Sequence, residues 1–190
     1  LHNNMKDVPQ AAAFTLAIWM FWRLVRYRRI RDLIFASLAF AIAFNTKVNT
    51  VLVPVIAACW WMISNKKKFV LWYFFTAPIA AFALWSVFWP DPVGQLLYIP
   101  RFFIDNTQNI EVLINGAWYC SGDNVPWWYP LWYLAITTPL PIFFFFFIGL
   151  ITKPQSNDGT KLLLLLWFFL PLARYAFPRM GVIDGIRHFE

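Results

Sequence analysis

Long apolar runs constrain this chain more than any other feature. Six segments carry few charges, and their apolar residues are continuous instead of being spaced along one helical face. The chain is 61% hydrophobic and 13% charged, and a soluble domain of 190 residues has too little interior to bury that much apolar surface. Continuous runs are typical of helices that are solvated by lipid. We therefore expect an integral membrane protein, in preference to a water-soluble protein that binds apolar ligands.

The runs predict an all-α fold, a polytopic transmembrane helical bundle that forms a single transmembrane domain over 1–190. The predicted membrane helices, about six in number, are 11–25, 32–44, 48–63, 69–88, 131–151 and 162–177. Segment 89–130 mixes aromatic residues with Pro, Gly, Asp and Asn, and its stretch QLLYIPRFFIDNTQNI is typical of an interrupted amphipathic helix. We predict an outer loop there, which either anchors the fold in the headgroup region or covers a site.

Basic residues are concentrated in alternate connections between the runs. Ten of the sixteen Lys and Arg residues lie in RLVRYRRIR, NKKK and TKPQSNDGTK. Counted together with Asp32, which follows the first of them, these connections carry a net charge of +8 against −1 for the rest of the chain. Short basic connections stay in the cytoplasm. The intervening connections and the C-terminal tail should therefore face outward. Because membrane topology accounts for the net charge of +7, we expect no nucleic-acid partner.

The outward side collects the residues that can carry chemistry. The middles of the runs lack such groups, whereas a transport pathway is expected to place polar groups near the membrane midplane. This distribution favours a reaction at the membrane surface over transport. The candidate site residues are Lys6, Asp7, Lys47, Asp123, Asp184, Arg187 and His188.

Lys47 stands between two short apolar runs, in the stretch AFNTKVNTVLVP. Short flanking helices would keep its turn at the depth of the lipid headgroups. An ammonium at that depth can bind a phosphate as a point charge. The alternative is a lysine that only extends its ammonium to the interface.

Four segments resemble a family of membrane glycosyltransferases. NNMKDVPQAAAFTLAIWMFWR is similar to the N-x-K-D-x-P helix entry of bacterial relatives of the dolichyl-phosphate-mannose–protein mannosyltransferases. FASLAFAIAFNTKVNTVLVP resembles the TK helix hairpin of these enzymes and of the lipid A aminoarabinose transferases. VPWWYPLWYLAITTPLPIFFFFFIGL and IDGIRHF resemble the family's W-Y-Y-P…TTP and DG-x-RH segments. The resemblance extends over nearly the whole chain in the family's order and implies the GT-C fold.

The resemblance implies that a sugar passes from a polyprenyl-phosphate donor to a protein or lipid acceptor on the outer face of the membrane. It places Lys47, Arg187 and His188 near the donor phosphate, where cations would stabilise the charge of the departing group. On residue chemistry alone, Arg187 is equally an arginine at the membrane edge, and His188 a hydrogen-bonded core histidine. Lys6, Asp123 and Asp184 would support the site.

Asp7 matches an acidic residue of the family's second outer loop. It would orient the acceptor, hold the donor phosphate through a divalent cation, or cap its helix. That cation is the one candidate cofactor. The family's main catalytic carboxylate lies in an earlier outer loop that would precede Leu1, so we expect the chain to be a fragment of a longer enzyme.

The expected location is the bacterial inner membrane, with the active face outside. Two other classes remain open at this point, a transporter or flippase of lipid-linked sugars and a non-catalytic membrane subunit. An inverted repeat among the runs would favour transport.

Overall fold

The computed structural model describes residues 7–64, 68–105, 111–153 and 159–175. The elements in chain order are α1 (Asp7–Tyr27), α2 (Ile30–Thr46), α3 (Leu52–Ile63), α4 (Leu71–Leu84), α5 (Pro92–Asp105), β1 (Glu111–Ile114), β2 (Ala117–Cys120), α6 (Tyr129–Thr137), α7 (Leu140–Ile151) and α8 (Thr160–Tyr175). Short 3-10 turns precede α3 and α4, and another follows α4. The chain divides into two compact units, one with Leu1–Pro100 and Asp158–Trp167, the other with Arg101–Asn157 and Phe168–Glu190.

Helices α1 and α2 form a tight antiparallel hairpin in the first unit. Arg28 follows α1 with a φ of 53°, the left-handed conformation that ends many helices, and its N–H donates to the Leu24 carbonyl at 2.9 Å. Arg29 alone then separates Arg28 from α2. With 21 residues, α1 is about 30 Å long, which is the thickness of the hydrocarbon core of a bilayer. The start of α1 and the arginine-rich turn at its end therefore lie at opposite ends of the hairpin.

The core of the first unit combines small residues with a few large rings. Alanines recur along the buried face of α2, and small side chains let helices approach closely where lipid removes the hydrophobic driving force. Aromatic rings fill the space between the helices, with centroids 5.2–6.4 Å apart in the contacting pairs. These rings are Phe21 of α1, Phe40 of α2, Trp60 of α3 and Tyr73 of α4. A hydrogen bond of 2.7 Å between the hydroxyls of Ser37 and Thr76 adds a polar link from α2 to α4.

A β-hairpin in the second unit corrects the all-α prediction. Strands β1 and β2 pair antiparallel around Asn115 and Gly116, which have φ values of 51° and 82°, as a two-residue type I′ turn requires. Val112 and Ile114 are buried against Tyr129 of α6. The hairpin lies within the predicted outer loop 89–130, which also contains α5. An Asn-Gly pair between two short apolar segments is a hairpin signal, and it is present in the sequence as EVLINGAWYC.

Segment 131–151, predicted as one helix, contains a sharp break. Helices α6 and α7 are bent by 117° at Thr138 and Pro139. Proline lacks the N–H that would continue the helix, and its ring pushes the preceding residue away from helical geometry. None of the residues of α7 is buried, and its Phe-rich surface is exposed.

Few of the predicted spans reach full membrane length. Among the described residues, α1 is the one helix that is long and apolar enough to cross a membrane, and the bent pair α6–α7 becomes a second if it is counted as one span. Val48–Ile63 and Lys68–Leu84 form shorter apolar helices. The mostly helical architecture agrees with the predicted membrane fold, whereas the number of about six spans stays a prediction.

Candidate functional site

An ion pair joins the start of α1 to the end of α2. Lys47 Nζ donates to Asp7 Oδ1 at 2.9 Å, although the two residues are 40 positions apart. The Asp7 side chain is 7% exposed and that of Lys47 is 26% exposed. The acid is therefore buried, while its ammonium partner keeps access to the surroundings. An ammonium has three N–H donors, so a single carboxylate contact leaves capacity for a second anionic group.

The backbone at Lys47 explains why its side chain reaches α1. Lys47 is the first residue after α2 and is extended, with φ −158° and ψ 130°. The preceding polar side chains fold back onto their own helix, since Asn45 donates to the Ala41 carbonyl and Thr46 to the Ile42 carbonyl. The helix thus uses its last two polar residues to satisfy its own carbonyls, and the lysine that follows them crosses to the neighbouring helix.

A second layer of polar residues lies one turn further along both segments. Gln10 is three residues after Asp7 and is 5% exposed, and Thr50 is three residues after Lys47 and is 0% exposed. Gln10 Nε2 donates to Thr50 Oγ1 at 2.7 Å, and Thr50 Oγ1 donates to the Ala43 carbonyl at 3.0 Å. Neither residue is among those that the sequence predicted for the site. The three-residue spacing from each charged residue was the available signal, since it places side chains on the same helical face.

The opposite end of the first unit has a different chemistry. Arg23 Nη2 approaches Asp32 Oδ1 at 3.4 Å, and the Arg23 guanidinium also lies 5.4 Å from the centre of the Trp19 ring. The Asp32 side chain is 2% exposed. This pair links the end of α1 to the start of α2, next to the arginine-rich turn.

Two tryptophans bring the start of α8 to this same end. Trp22 Nε1 donates to Thr160 Oγ1 at 2.9 Å, and Trp60 Nε1 donates to the Gly159 carbonyl at 2.9 Å. The ends of α1 and α3 therefore lie together with the start of α8. Arg26 in the last turn of α1 and Lys161 at the start of α8 therefore lie at this end of the first unit, and the Asp7–Lys47 pair lies at the other.

The predicted site residues are only partly covered by the structure. Asp7 and Lys47 lie in contact. Asp123 belongs to the second unit, in the turn after β2, where its N–H donates to the Cys120 carbonyl at 3.2 Å. Within the described ranges, no group of three or more His, Cys, Asp or Glu side chains is placed to hold a metal ion. The other predicted residues lie outside the described ranges: Lys6, Asp184, Arg187 and His188.

Comparison with known proteins indicates the class of membrane glycosyltransferases, because residues 1–90 match a family model of that class. The model is that of the dolichyl-phosphate-mannose-protein mannosyltransferase family, and its match to this part of the chain supports the resemblance. The matched residues include α1 to α4 and both members of the ion pair. The match supports glycosyltransferase activity and an integral membrane protein in general terms. The resembling segments at 125–150 and 183–189 lie beyond it. No curated protein and no solved structure matches the chain.

Proposed function

We propose that this protein is a membrane glycosyltransferase that moves a sugar from a polyprenyl-phosphate donor to a protein or lipid acceptor at the outer face of a bacterial inner membrane. In this reaction the bond between the anomeric carbon and the phosphate oxygen breaks. A new bond forms from that carbon to the acceptor oxygen, the acceptor loses its hydroxyl proton, and polyprenyl phosphate leaves. Negative charge accumulates on the departing phosphate, so the reaction requires a cation near that group.

The Asp7–Lys47 pair is the observation that carries the proposal. Lys47 is the partly exposed member of the pair, and its two remaining N–H donors suit a phosphate oxygen. Asp7 holds the ammonium at 2.9 Å, so the long Lys47 side chain is already ordered before a phosphate binds. It therefore loses less conformational entropy on binding. In this proposal Lys47 contacts the donor phosphate and Asp7 positions Lys47. Arg187 and His188 stay predicted as further partners of the phosphate.

The position of the pair supports a reaction at the outer face. The pair lies at one end of α1, and the basic connections leave from the other end, about one membrane thickness away. Since basic connections are retained in the cytoplasm, the pair would face outward at headgroup depth. A polyprenyl phosphate presents its phosphate at that same depth, with its hydrocarbon chain in the bilayer.

A transfer assay tests the proposal. Full-length protein in nanodiscs would be given radiolabelled polyprenyl-phosphate sugars with peptide and lipid acceptors, and the release of polyprenyl phosphate would be followed. We expect turnover with at least one lipid-phosphate sugar and strongly reduced turnover in Lys47→Met at equal protein level. Turnover with nucleotide sugars alone, or sugar flipping between leaflets without transfer, would contradict the proposed function.

A further inference from the structure

The arginine-rich turn, residues 23–32, concentrates positive charge that the proposed reaction does not use. It contains five arginines and a single acid, Asp32. Asp32 is buried and contacts Arg23 at 3.4 Å, so its charge is directed to the interior of the hairpin. Three of the arginines are exposed, and among the described residues no ion pair joins any of them to an acid: Arg28, Arg29 and Arg31. Like charges this close repel one another and favour an anion that binds among them.

Aromatic rings restrain several of these guanidiniums. Those of Arg23 and Arg29 lie 5.7 Å and 5.6 Å from the centre of the same ring, that of Tyr27. The guanidinium of Arg26 lies 5.5 Å from the centre of the Trp22 ring. A cation–π contact restrains a long side chain without using its hydrogen-bond donors. These arginines therefore lose less conformational entropy when an anion binds.

The aromatic residues also indicate the depth of the turn in the membrane. Trp19 and Tyr27 lie in the last three turns of α1, and both are exposed. Exposed Trp and Tyr at the end of a membrane helix are typical of the interface between lipid and water. Of the described helices, α1 is the one that is long and apolar enough to cross a membrane, so its end reaches that interface. The phosphates of the surrounding phospholipids lie at the same depth.

Arg28 occupies a position whose backbone conformation favours glycine. Its φ of 53° lies in the left-handed region, which strains a residue with a Cβ and which glycine adopts readily. Glycine is the usual residue immediately after a helix that ends in this way. An exposed cation here lowers local stability, and backbone strain of this kind is characteristic of functional positions. The side chain of Arg28 therefore does something other than stabilise the turn.

We infer that the arginine-rich turn binds the headgroup of an anionic phospholipid, with the lipid phosphate held by Arg28, Arg29 and Arg31. A guanidinium binds phosphate oxygens through paired N–H donors, which makes the contact both strong and directional. Diffuse attraction to a charged surface requires neither restrained guanidiniums nor a strained Arg28, whereas a fixed headgroup site uses both. The inference does not depend on the transfer reaction, because the turn lies at the opposite end of the hairpin from Lys47. The predicted orientation places this lipid in the cytoplasmic leaflet.

Lipid titrations of the purified protein test the inference. Full-length protein in a non-ionic detergent would receive phosphatidylglycerol or phosphatidylcholine, and the bound lipid would be counted by native mass spectrometry. Inorganic phosphate and polyglutamate would be added as competitors. We expect the protein to retain phosphatidylglycerol in preference to phosphatidylcholine, and neither competitor to displace it, since the acyl chains of the lipid also pack against the protein.

Two double variants separate a local site from the effect of net charge. A basic residue beside anionic lipid is typically worth about fivefold in affinity, so Arg28→Gln with Arg31→Gln should bind phosphatidylglycerol roughly ten- to thirtyfold more weakly. Arg101→Gln with Lys153→Gln removes the same charge from exposed positions outside the turn and should bind like the wild type. An equal loss in both double variants would mean that net charge alone attracts the lipid, and would overturn the inference.

Arg28→Gly separates binding from stability. Glycine relieves the strained φ, so this variant should unfold at the same or a higher temperature in lipid-free detergent, yet bind phosphatidylglycerol about fivefold more weakly. A role confined to folding would instead lower stability and binding together. That result, unchanged lipid binding in Arg28→Gly or in the double variant of the turn, equal retention of phosphatidylcholine, or displacement of the lipid by either competitor would each overturn the inference.

Discussion

Replacing Lys47 by Met removes the ammonium that lies 2.9 Å from Asp7 Oδ1, and two separate effects should follow. The carboxylate that remains is 7% exposed, and removing one member of a buried ion pair typically costs about 3–5 kcal/mol. The lysine itself is 26% exposed, so solvent already screens part of the attraction. We therefore expect a loss of about 1–3 kcal/mol in the free energy of unfolding, seen as a lower Tm of the purified protein in detergent.

The second effect concerns the donor. A charge-assisted contact with phosphate is typically worth about 1.5–3 kcal/mol, so Lys47→Met should weaken the binding of polyprenyl phosphate by roughly ten- to a hundredfold. Lys47→Arg keeps the charge and should retain part of the affinity and part of the activity. The assay is a titration of polyprenyl phosphate, followed by kcat and KM of transfer at equal membrane abundance.

The double variant with Asp7→Asn and Lys47→Met separates the two effects. Its amide no longer needs a cation, so most of the lost stability should return, whereas the affinity for phosphate should remain low. If the double variant recovers phosphate binding together with stability, the lysine serves only to neutralise Asp7. If Lys47→Met alone binds polyprenyl phosphate like the wild type, the assignment of the phosphate site is refuted.

Three further predictions concern other parts of the chain. Asp7→Asn alone leaves a partly exposed lysine that water can solvate, so the amount of protein in the membrane should stay normal on an immunoblot. Transfer should nevertheless fall sharply, and unchanged transfer would limit Asp7 to a structural role. Gly159→Ala should lower the free energy of unfolding by about 1–3 kcal/mol, measured by thermal unfolding. The φ of Gly159 is +78°, and a Cβ there would lie 2.9 Å from Trp60 Nε1, which donates to the Gly159 carbonyl. Gly149→Ala is the control and should be neutral or slightly stabilising, because a Cβ at Gly149 meets nothing within 4 Å. A cysteine at position 123, in place of Asp123, should react from outside with an impermeant maleimide in a protein whose native cysteines are replaced, while a cysteine in place of Lys67 should not; the reverse pattern would overturn the orientation.

The sequence by itself determined the helical character of the chain and the separation of its basic connections. Both properties depend on composition along short segments, since a backbone in lipid must satisfy its own hydrogen bonds and basic connections resist translocation. The hairpin turn at Asn115 and Gly116 and the break at Pro139 are equally local. They were predictable from turn and proline chemistry, but the continuous apolar pattern around Pro139 and the loop-like composition around the hairpin favoured other interpretations.

Only the tertiary structure decided which polar residues meet. Asp7 and Lys47 were both selected from the sequence, as an acceptor-side acid and a phosphate-side lysine, and their contact with each other was not predicted. It arises because the tight turn at Arg28 makes α1 and α2 antiparallel and because the two preceding polar side chains bond to their own helix. Gln10 and Thr50 were not selected at all, because their three-residue spacing from Asp7 and Lys47 gains meaning only once the two segments are known to pack together. Their contact becomes visible only in the tertiary structure, where packing brings the Gln10 amide within 2.7 Å of the Thr50 hydroxyl.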